Sequence, residues 1–392
     1  MPCAHRRRTL LAGLAAVLTV LALVVPLAAQ SGAGGAGTLL FIGTYTSPTS
    51  KGIYATRLDP STGALSTPVL AAEARNPSFL AASADGRFLY AVSEVDAVDG
   101  KPGGAVAGYA IDKAAGTLRL LNAQSTVGGG PAHVSVAGRM VFAANYGGGS
   151  VVAYATEADG SLKPSTGFAQ HKGSSVDPNR QKGPHAHAAT PDPTGRFLYV
   201  PDLGLDQVLV YRIDAAAGTI APATPPFAAI TPAGSGPRHI AIARDGRHAY
   251  VIHEMVCTVG VFDRDLSTGA LTATQTISTL PAGQAVEKGF STAEVLLHPS
   301  GRFLYGSNRG HDTIVVYAVD ARTGRLTLLQ HVPTGGKAPR AFNIDPTGTF
   351  LVVGNQNSDA VGTFRIDPAK GTLTATGHTV SVGKPVSFEF VR

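Results

Sequence analysis

A turn motif that recurs along almost the whole chain is the feature that most limits its possible folds. Each copy has an acidic or small polar turn with a glycine, followed by a strand led by Leu or Ile, as in residues 58–65 (LDPSTGAL) and 366–373 (IDPAKGTL). The glycines that mark the seven copies are Gly63, Gly116, Gly160, Gly218, Gly269, Gly324 and Gly371. Their intervals average about 51 residues. Glycine supplies the positive φ that such a hairpin turn needs, so the motif predicts seven tight turns between strands.

A second motif lies between the copies of the first. It has a strand led by proline, a turn of the form x-Gly-Arg and a strand led by an aromatic residue, as in residues 88–94 (FLYAVSE) and 303–309 (FLYGSNR). Together the two motifs give four antiparallel strands in each repeat, and this number at a period near 50 residues is typical of a propeller blade. The sequence therefore predicts an all-β fold, a propeller of seven blades with four antiparallel strands each.

The two ends of the repeat region complement each other. Residues 384–390 (KPVSFEF) have the pattern of a first strand with nothing after it, and residues 39–45 (LLFIGTY) that of a second strand with nothing before it. We expect these strands to pair in one blade and close the ring, which removes the open sheet edges. A sandwich and a solenoid are the alternatives, but a solenoid does not explain complementary half-repeats at the termini.

The N-terminal 29 residues have the pattern of an export signal. Arginines at 6–8 precede an apolar run over 10–27 and then Ala28-Ala29, which predicts a secretory signal peptide cleaved after Ala29. The arginines and the residues after them also fit a twin-arginine pattern. An uncleaved membrane anchor is the alternative, because about 18 apolar residues just span a bilayer.

We therefore expect three segments: a signal peptide over 1–29, a Gly/Ser/Ala linker over 30–37 and the propeller over 38–392. On this interpretation the mature protein is exported, and it is secreted, periplasmic or cell-wall associated. It has no stable membrane insertion after cleavage.

Charge and cysteine content exclude several classes of protein. The net charge of +6 falls to +3 without residues 1–29, which hold three arginines and no acid, and this excess is too weak to predict nucleic-acid binding. Cys3 leaves with the signal peptide, so Cys257 is alone and we expect it to be a small core residue. No Gly-x-Ser-x-Gly elbow is present, which argues against a serine hydrolase.

Polar residues concentrate where the proline-led strands start and the aromatic-led strands end. Because these strands are antiparallel neighbours, both places face one rim of the propeller, at the mouth of its central channel. The strand starts carry His133, His185, Arg238, Glu294 and Arg340, and the strand ends carry Glu94, Asn145, Tyr146, Asp202, Glu254, Arg309 and Gln356. They predict a small-molecule pocket at this rim; the alternative is that they only hydrate a channel mouth.

Several strings along the chain carry a family resemblance. FIGTYTS, GRFLYAVSE, AANYGGGSV, RQKGPHAH, GPRHIAI and HPSGRFLYGSNRG occur in the expected order and blades. Over about residues 38–392 they resemble the lactonase family of seven-bladed propellers, which includes the propeller-type 6-phosphogluconolactonase and, more distantly, the fungal carboxy-muconate lactonizing enzyme. The resemblance implies catalytic roles for His185, Arg238, Glu254 and Arg309. It also implies a substrate-binding pocket of Asn145, Tyr146, Arg180, Gln181, His187, Glu294 and Gln356.

The resemblance implies an enzyme that hydrolyses a sugar-type lactone to the hydroxy acid, and the N-terminal pattern predicts that this enzyme is exported. We expect His185 to take a proton from water, and Arg238 and Arg309 to face the oxyanion and any carboxylate or phosphate of the substrate. Glu254 either orients a neighbour or is the second acid/base group, and exchanging the roles of His185 and Glu254 fits the sequence equally well. Members that process 6-phosphogluconolactone work in the cytoplasm, so the reaction type carries over better than the substrate.

Two other functions remain open at this point: a non-catalytic propeller that binds carbohydrate or a protein partner, and a muconate-type lactonizing isomerase. His185 and His187 with His133 or His239 form only a weak metal pattern, and the resemblance implies no metal and no cofactor. The expected partner is a small-molecule lactone, sugar-derived and anionic, and not a nucleic acid. We expect a monomer.

Overall fold

The computed structural model describes Met1, residues 37–98 and residues 100–391. The predicted signal peptide over 1–29 and the linker over 30–37 lie outside the described residues, except for Met1 and Gly37. Within the described ranges there is no helix long and apolar enough to cross a membrane.

Seven four-stranded antiparallel sheets form the seven predicted blades. The chain begins with β1 (Thr38–Thr44), β2 (Gly52–Leu58) and β3 (Val69–Glu73), which belong to blade 7. Blade 1 follows with β4 (Leu80–Ala82), β5 (Phe88–Ser93), an inserted hairpin of β6 (Ala97–Val98) and β7 (Lys101–Pro102), β8 (Ala105–Asp112) and β9 (Thr117–Ser125). Blade 2 has β10 (Pro131–Ala137), β11 (Met140–Asn145), β12 (Ser150–Ala155) and β13 (Gly167–Gln170).

The remaining blades repeat the same order. Blade 3 has β14 (Thr190–Pro191), β15 (Phe197–Asp202), β16 (Gln207–Asp214) and β17 (Thr219–Ala229). Blade 4 has β18 (Pro237–Ile242), β19 (His248–His253), β20 (Thr258–Arg264) and β21 (Leu271–Ser278). Blade 5 has β22 (Ser291–Leu297), β23 (Phe303–Arg309), β24 (Thr313–Val319) and β25 (Leu326–Pro333). Blade 6 has β26 (Pro339–Ile344), β27 (Phe350–Asn355), β28 (Ala360–Ile366) and β29 (Leu373–Ser381), and β30 (Pro385–Phe390) completes blade 7.

The ring closes through the pairing expected from the termini. β30 lies antiparallel to β1, with Leu40 opposite Phe390 and Ile42 opposite Phe388. Blade 7 therefore takes its first strand from the C-terminal end of the chain and its other three from the N-terminal end. This confirms the predicted closure, which leaves no blade edge open between the first and last repeats.

Apolar side chains pack between neighbouring blades. Between blades 4 and 5, for example, Tyr250 and Ile252 of β19 pack with Val295 of β22 and Leu304 of β23. The first strand of most blades contacts the first strand of the next, so these strands line the central channel. A cavity of about 310 Å³ lies in this channel, with Phe79, His239 and Glu294 among its lining residues.

Candidate active site

β-bulges at the start of the channel-lining strands place the polar side chains of the rim. Pro237 pairs with His253 and His239 pairs with Ile252, which leaves Arg238 as the extra residue of a bulge in β18. Arg340 is the corresponding extra residue between Pro339 and Ala341 in β26. A bulge breaks the alternation of faces along a strand, so Arg238 and His239 contact each other although they are adjacent in sequence.

Glu254, directly after β19, is surrounded by three arginines. Its Oε1 lies 2.7 Å from Arg180 Nη2, and its Oε2 lies 3.1 Å from Arg309 Nη2 and 3.2 Å from Arg238 Nε. We call Glu254 and these three arginines the rim cluster. Burial raises the pKa of Glu254, but the charges of Arg309, Arg238 and Arg180 outweigh it and lower the pKa to about 2. Glu254 is therefore ionised at neutral pH.

Arg238 donates hydrogen bonds from two of its three nitrogens. Its Nε donates to Glu254, and its Nη1 donates to Ala293 O at 2.6 Å and to His239 Nε2 at 3.1 Å. Burial and the charges of Arg340 and Arg309 lower the pKa of Arg238 to about 9, so it remains charged at neutral pH. No hydrogen bond from Nη2 to another described residue is formed, which leaves that edge of the guanidinium for a ligand.

His185 lies beside the rim cluster with a defined tautomer. Its Nδ1 is 2.9 Å from the carbonyl oxygen of Tyr146, and its ring stacks on the Tyr146 ring with centroids 4.6 Å apart. A carbonyl oxygen only accepts, so in the neutral ring Nδ1 carries the proton and Nε2 has the lone pair. The Tyr146 hydroxyl accepts a hydrogen bond from Arg180 Nη2 at 3.2 Å. Tyr146 thus contacts both His185 and an arginine of the rim cluster.

The backbone around His185 is fixed by Asp202, at the end of β15. Asp202 Oδ1 accepts the N–H groups of His185 at 2.7 Å, Gly204 at 3.0 Å and Leu205 at 3.2 Å, and its Oδ2 lies 2.6 Å from His171 Nδ1. A buried carboxylate with this many donors is a strong local tether. It holds the segment 183–185 against the β15–β16 turn.

His187 also lies close to the rim cluster. Its Nε2 is 3.9 Å from Glu254 Oε2, and its ring meets the Tyr146 ring edge-on at 5.1 Å. Burial, together with the charge of Arg238, lowers the pKa of His187 well below its usual value. The side chain is therefore neutral at neutral pH, and its buried Nδ1 has no hydrogen-bond partner within the described ranges.

The structure therefore brings together the four residues assigned catalytic roles, with Tyr146, Arg180 and His187. It does not bring Asn145 and Gln181 into this group. Asn145 Nδ2 donates to Ser150 Oγ of blade 2 and to Thr126 O in the segment that follows blade 1, and Gln181 bonds the backbone of Leu203 and Asp177. Glu294 lies deeper in the channel, and its Oε1 is 2.8 Å from His239 Nδ1. Gln356 follows β27 at the rim, and its side chain makes no hydrogen bond to another residue of the described ranges.

Sequence reasoning left Arg340, Glu94, Tyr45 and His239 out of the assigned site. Arg340 lies over the Tyr45 ring at 5.4 Å, and Tyr45 donates from its hydroxyl to Glu94 Oε2 at 2.8 Å. Arg340 was recognisable, because it follows a strand-leading proline just as Arg238 does. Burial lowers the pKa of Arg340, but Tyr45, Glu94 and Glu254 raise it above its usual value, so it stays charged.

The rim cluster and its neighbours have an excess of positive charge. Four guanidinium groups, those of Arg180, Arg238, Arg309 and Arg340, face the carboxylates of Glu254 and Glu94. Burial raises the pKa of the deeper Glu294 to about 7 despite the opposing charge of Arg238, so this group is only partly ionised at neutral pH. Uncompensated buried charge is costly, and an anionic ligand would compensate it. Within the part of the chain that the structure describes, no three His, Cys, Asp or Glu residues are grouped to hold a metal ion.

Comparison with known proteins identifies the family. The model of the family described as Lactonase, 7-bladed beta-propeller matches residues 39–390, from the second residue of β1 to the last residue of β30. This chain belongs to the lactonase family of seven-bladed β-propellers. The match covers the whole closed ring, including the strand contributed by the C-terminal end.

Members of this lactonase family resemble the chain in sequence and in structure. It is 36% identical over 313 residues to the 6-phosphogluconolactonase of Bacillus subtilis (strain 168), an alignment that covers 78% of this chain and 84% of the relative. It is 30% identical over 274 residues to a 6-phosphogluconolactonase of Formosa agariphila, covering 69% of this chain and 75% of the relative. The solved structure of a periplasmic gluconolactonase from Pseudomonas aeruginosa matches with a TM-score of 0.84 at 36% identity, covering 91% of this chain and 99% of that one.

Proposed function

We propose that this chain hydrolyses a small sugar-type lactone that carries an anionic group. The observation that carries this proposal is His185, whose ring stacks on Tyr146 and is linked through the Tyr146 hydroxyl to Arg180 of the rim cluster. The relatives named 6-phosphogluconolactonase and gluconolactonase support lactones as the substrate class.

His185 is the general base in this proposal. Its Nε2 takes a proton from water while the water oxygen attacks the carbonyl carbon of the lactone. The tetrahedral intermediate then breaks its bond to the ring oxygen, which receives the proton back from the imidazolium. The product is one hydroxy acid, and the ring is back in the tautomer that the Tyr146 carbonyl favours.

The arginines stabilise the negative charge that develops on the carbonyl oxygen. The Nη2 group of Arg238 is available to donate to this oxygen. Arg309 contacts Thr292 O and Glu254 through its Nη2 alone. Fixed cationic donors of this kind stabilise an oxyanion without reorganising during the reaction. Because the pKa of Glu254 is about 2, it is a poor proton donor near neutral pH, which supports an orienting role for Glu254 and the base role for His185.

The charge of the pocket supports an anionic substrate. Arg340 makes no hydrogen bond or ion pair within the described ranges, and it lies on the Tyr45 side of the pocket, within electrostatic range of Glu254. A phosphate or carboxylate on the sugar would give it a partner. We propose that Arg340 contacts this group, and that Gln356 at the end of the neighbouring strand is a further polar contact.

We also propose that the chain works outside the cytoplasm. The arginines at 6–8 and the apolar run over 10–27 support export, and a structural relative is periplasmic by name. The full-length chain should appear in the exported fraction of expressing cells, and replacing Arg7 and Arg8 with Lys should retain it inside if the twin-arginine route is used. Recovery of the unaltered chain in the cytoplasm would contradict export.

The activity test is acid release from glucono-1,5-lactone and its 6-phosphate, followed at constant pH with the purified full chain. We expect turnover that falls about 100- to 10,000-fold in His185→Ala and about 100-fold or more in Arg238→Gln. His378→Ala, an exposed histidine on the outer strand β29, is the control and should keep full activity. Unchanged hydrolysis in both site variants would overturn the proposal. So would conversion of muconate-type acids without lactone hydrolysis, or binding of acidic sugars without turnover.

A further inference from the structure

Beneath the rim cluster, a second set of buried polar groups contacts Arg238 from the channel side. His239 Nε2 lies 3.1 Å from Arg238 Nη1, and His239 Nδ1 lies 2.8 Å from Glu294 Oε1. Both side chains are buried. Glu294 in turn accepts at Oε1 the backbone N–H of Val295 at 3.1 Å, and its own N–H donates to Ser307 Oγ at 2.9 Å. An unbroken series of hydrogen bonds thus joins the bulge of β22 to Arg238.

The direction of each hydrogen bond in this series follows from the donors available. A guanidinium has no acceptor, so His239 Nε2 must accept from Arg238, and the single proton of the neutral ring is on Nδ1. That proton is donated to Glu294. A doubly protonated His239 would turn an N–H toward the Arg238 N–H, so the arrangement requires a neutral ring. Burial and the charges of Arg238 and Arg340 lower the pKa of His239 well below its usual value, which agrees with this requirement.

Neighbouring rings fix the plane of His239. Phe79 meets it edge-on at 5.7 Å, His133 at 5.4 Å and His187 at 5.3 Å. The charged groups that face it are Arg238, Arg340, Arg309 and Glu254, besides Glu294. The imidazole therefore has little freedom to rotate away from Arg238.

We propose that His239 and Glu294 are positioning residues, which hold the Arg238 guanidinium so that its free Nη2 edge faces the reacting carbonyl oxygen. This inference rests on the proposed lactone hydrolysis and assigns Glu294 to orientation instead of substrate contact. Nη1 needs both Ala293 O and His239 to satisfy its two N–H groups. Without His239, one N–H of Nη1 loses its partner, and the guanidinium can turn away from the position that the oxyanion requires.

The expected kinetic signature is a loss in kcat with little change in KM, because the oxyanion contact forms mainly in the transition state. We expect His239→Leu to lower kcat about 10- to 100-fold and to change KM less than about threefold. His239→Gln keeps an acceptor for Arg238 and should recover most of this loss. Glu294→Leu should resemble His239→Leu, while Glu294→Gln, which keeps an acceptor for His239, should be milder.

A double-mutant cycle separates positioning from a general structural defect. In the Arg238→Gln background, adding His239→Leu should lower kcat no further, because there is no guanidinium left to orient. His298→Asn is the matched control: this histidine is also buried, but it follows the far end of β22, bonds Gly348 O and does not contact Arg238, and its variant should keep kcat within about twofold. Thermal melting of each variant checks that the ring is folded.

The outcomes distinguish the two proposals. If Arg238→Gln lowers kcat but His239→Leu and Glu294→Leu, both folded, do not, the positioning role is wrong and the proposed hydrolysis stands. Fully additive losses in the double variant also overturn positioning. If Arg238→Gln leaves hydrolysis intact, the proposed mechanism itself fails.

Discussion

Glu254 is a single carboxylate that holds three arginines, and its charge is therefore important for folding as well as for the site. Its side chain is 7% exposed, and it contacts Arg180, Arg238 and Arg309 within 3.2 Å. Removing the negative charge would leave three cations close together with little water to screen them. We therefore expect the protonation of Glu254 to destabilise the folded ring.

The pH dependence of stability follows from the pKa of Glu254. The arginines lower it from the ordinary 4.5 to about 2 against the effect of burial, so the folded state favours the ionised form. This stabilisation is complete above about pH 4.5 and is lost as the pH falls through 2, and it amounts to about 3 kcal/mol. Chemical unfolding of the wild type between pH 7 and pH 2 should show this loss.

Glu254→Gln tests the same prediction. The variant should be less stable than the wild type at pH 7 and should lose less stability between pH 4.5 and pH 2, because its neutral amide does not titrate. Glu157→Gln, at an exposed turn position, is the control and should keep the wild-type pH dependence. Equal acid sensitivity of the wild type and Glu254→Gln would show that Glu254 does not carry this effect.

At the level of strands, the sequence was sufficient to predict which residues share the rim but not how their side chains point. The period and the complementary termini predicted the seven blades and the pairing of β30 with β1, since both depend on backbone patterns that repeat. The pairing of strand starts with strand ends also follows from the repeat, as in Pro237 opposite His253. That logic placed Arg238 and Glu254 together correctly.

The bulges were the part that the sequence did not predict. Regular alternation would put Arg238 and His239 on opposite faces of β18, and the extra residue in the strand overrides this. His239 was not part of the assigned site, and Glu294 was assigned to the substrate pocket by the family resemblance. The amide of Asn145 also differs from expectation, since it bonds Thr126 O just as Asn308 bonds Thr279 O and Asn355 bonds Thr334 O. A residue recurring in several blades signals a structural role.

The turn between β15 and β16 offers a prediction about the position of His185. A Cβ at Gly204 would overlap Gly183 O and lie 3.0 Å from His185 N, so Gly204→Ala must displace the segment that carries His185. We expect kcat to fall about tenfold or more, because a displacement of about 1 Å at the base is costly. Steady-state kinetics with glucono-1,5-lactone measures this effect.

Gly183→Ala is the matched control for Gly204→Ala. It alters the same segment, but nothing lies within 4 Å of the added Cβ, so folding and kcat should change little. If the two alanine variants have the same activity, close packing at Gly204 does not position His185.

At the level of the whole molecule, the site exists only because the ring is closed and its blades are held in order. The rim cluster and His185 come from blades 4 and 5 and from the segment that leads into blade 3, so any change in blade spacing would separate them. Tyrosines of the second strands connect neighbouring blades: Tyr90 donates to Gly160 O at 2.9 Å and Tyr305 to Gly371 O at 2.8 Å. These carbonyls belong to the turn glycines of the recurring motif, which therefore serve both the hairpin and the next blade.

The equivalent tyrosine of blade 4 provides an internal comparison. Tyr250 is buried like Tyr305, but its hydroxyl has no hydrogen-bond partner within residues 37–98 and 100–391. Tyr305→Phe should lower the free energy of unfolding by about 1–3 kcal/mol, because the Gly371 carbonyl loses its donor in a dry interface. Tyr250→Phe removes the same hydroxyl and should leave stability unchanged or raise it, since a buried polar group without a partner is a cost. Denaturant unfolding of the two variants measures the difference directly, and equal losses in both would show that the hydroxyls do not join the blades. A larger loss in Tyr305→Phe would mean that the turn glycines of the repeat also accept hydrogen bonds that hold neighbouring blades together.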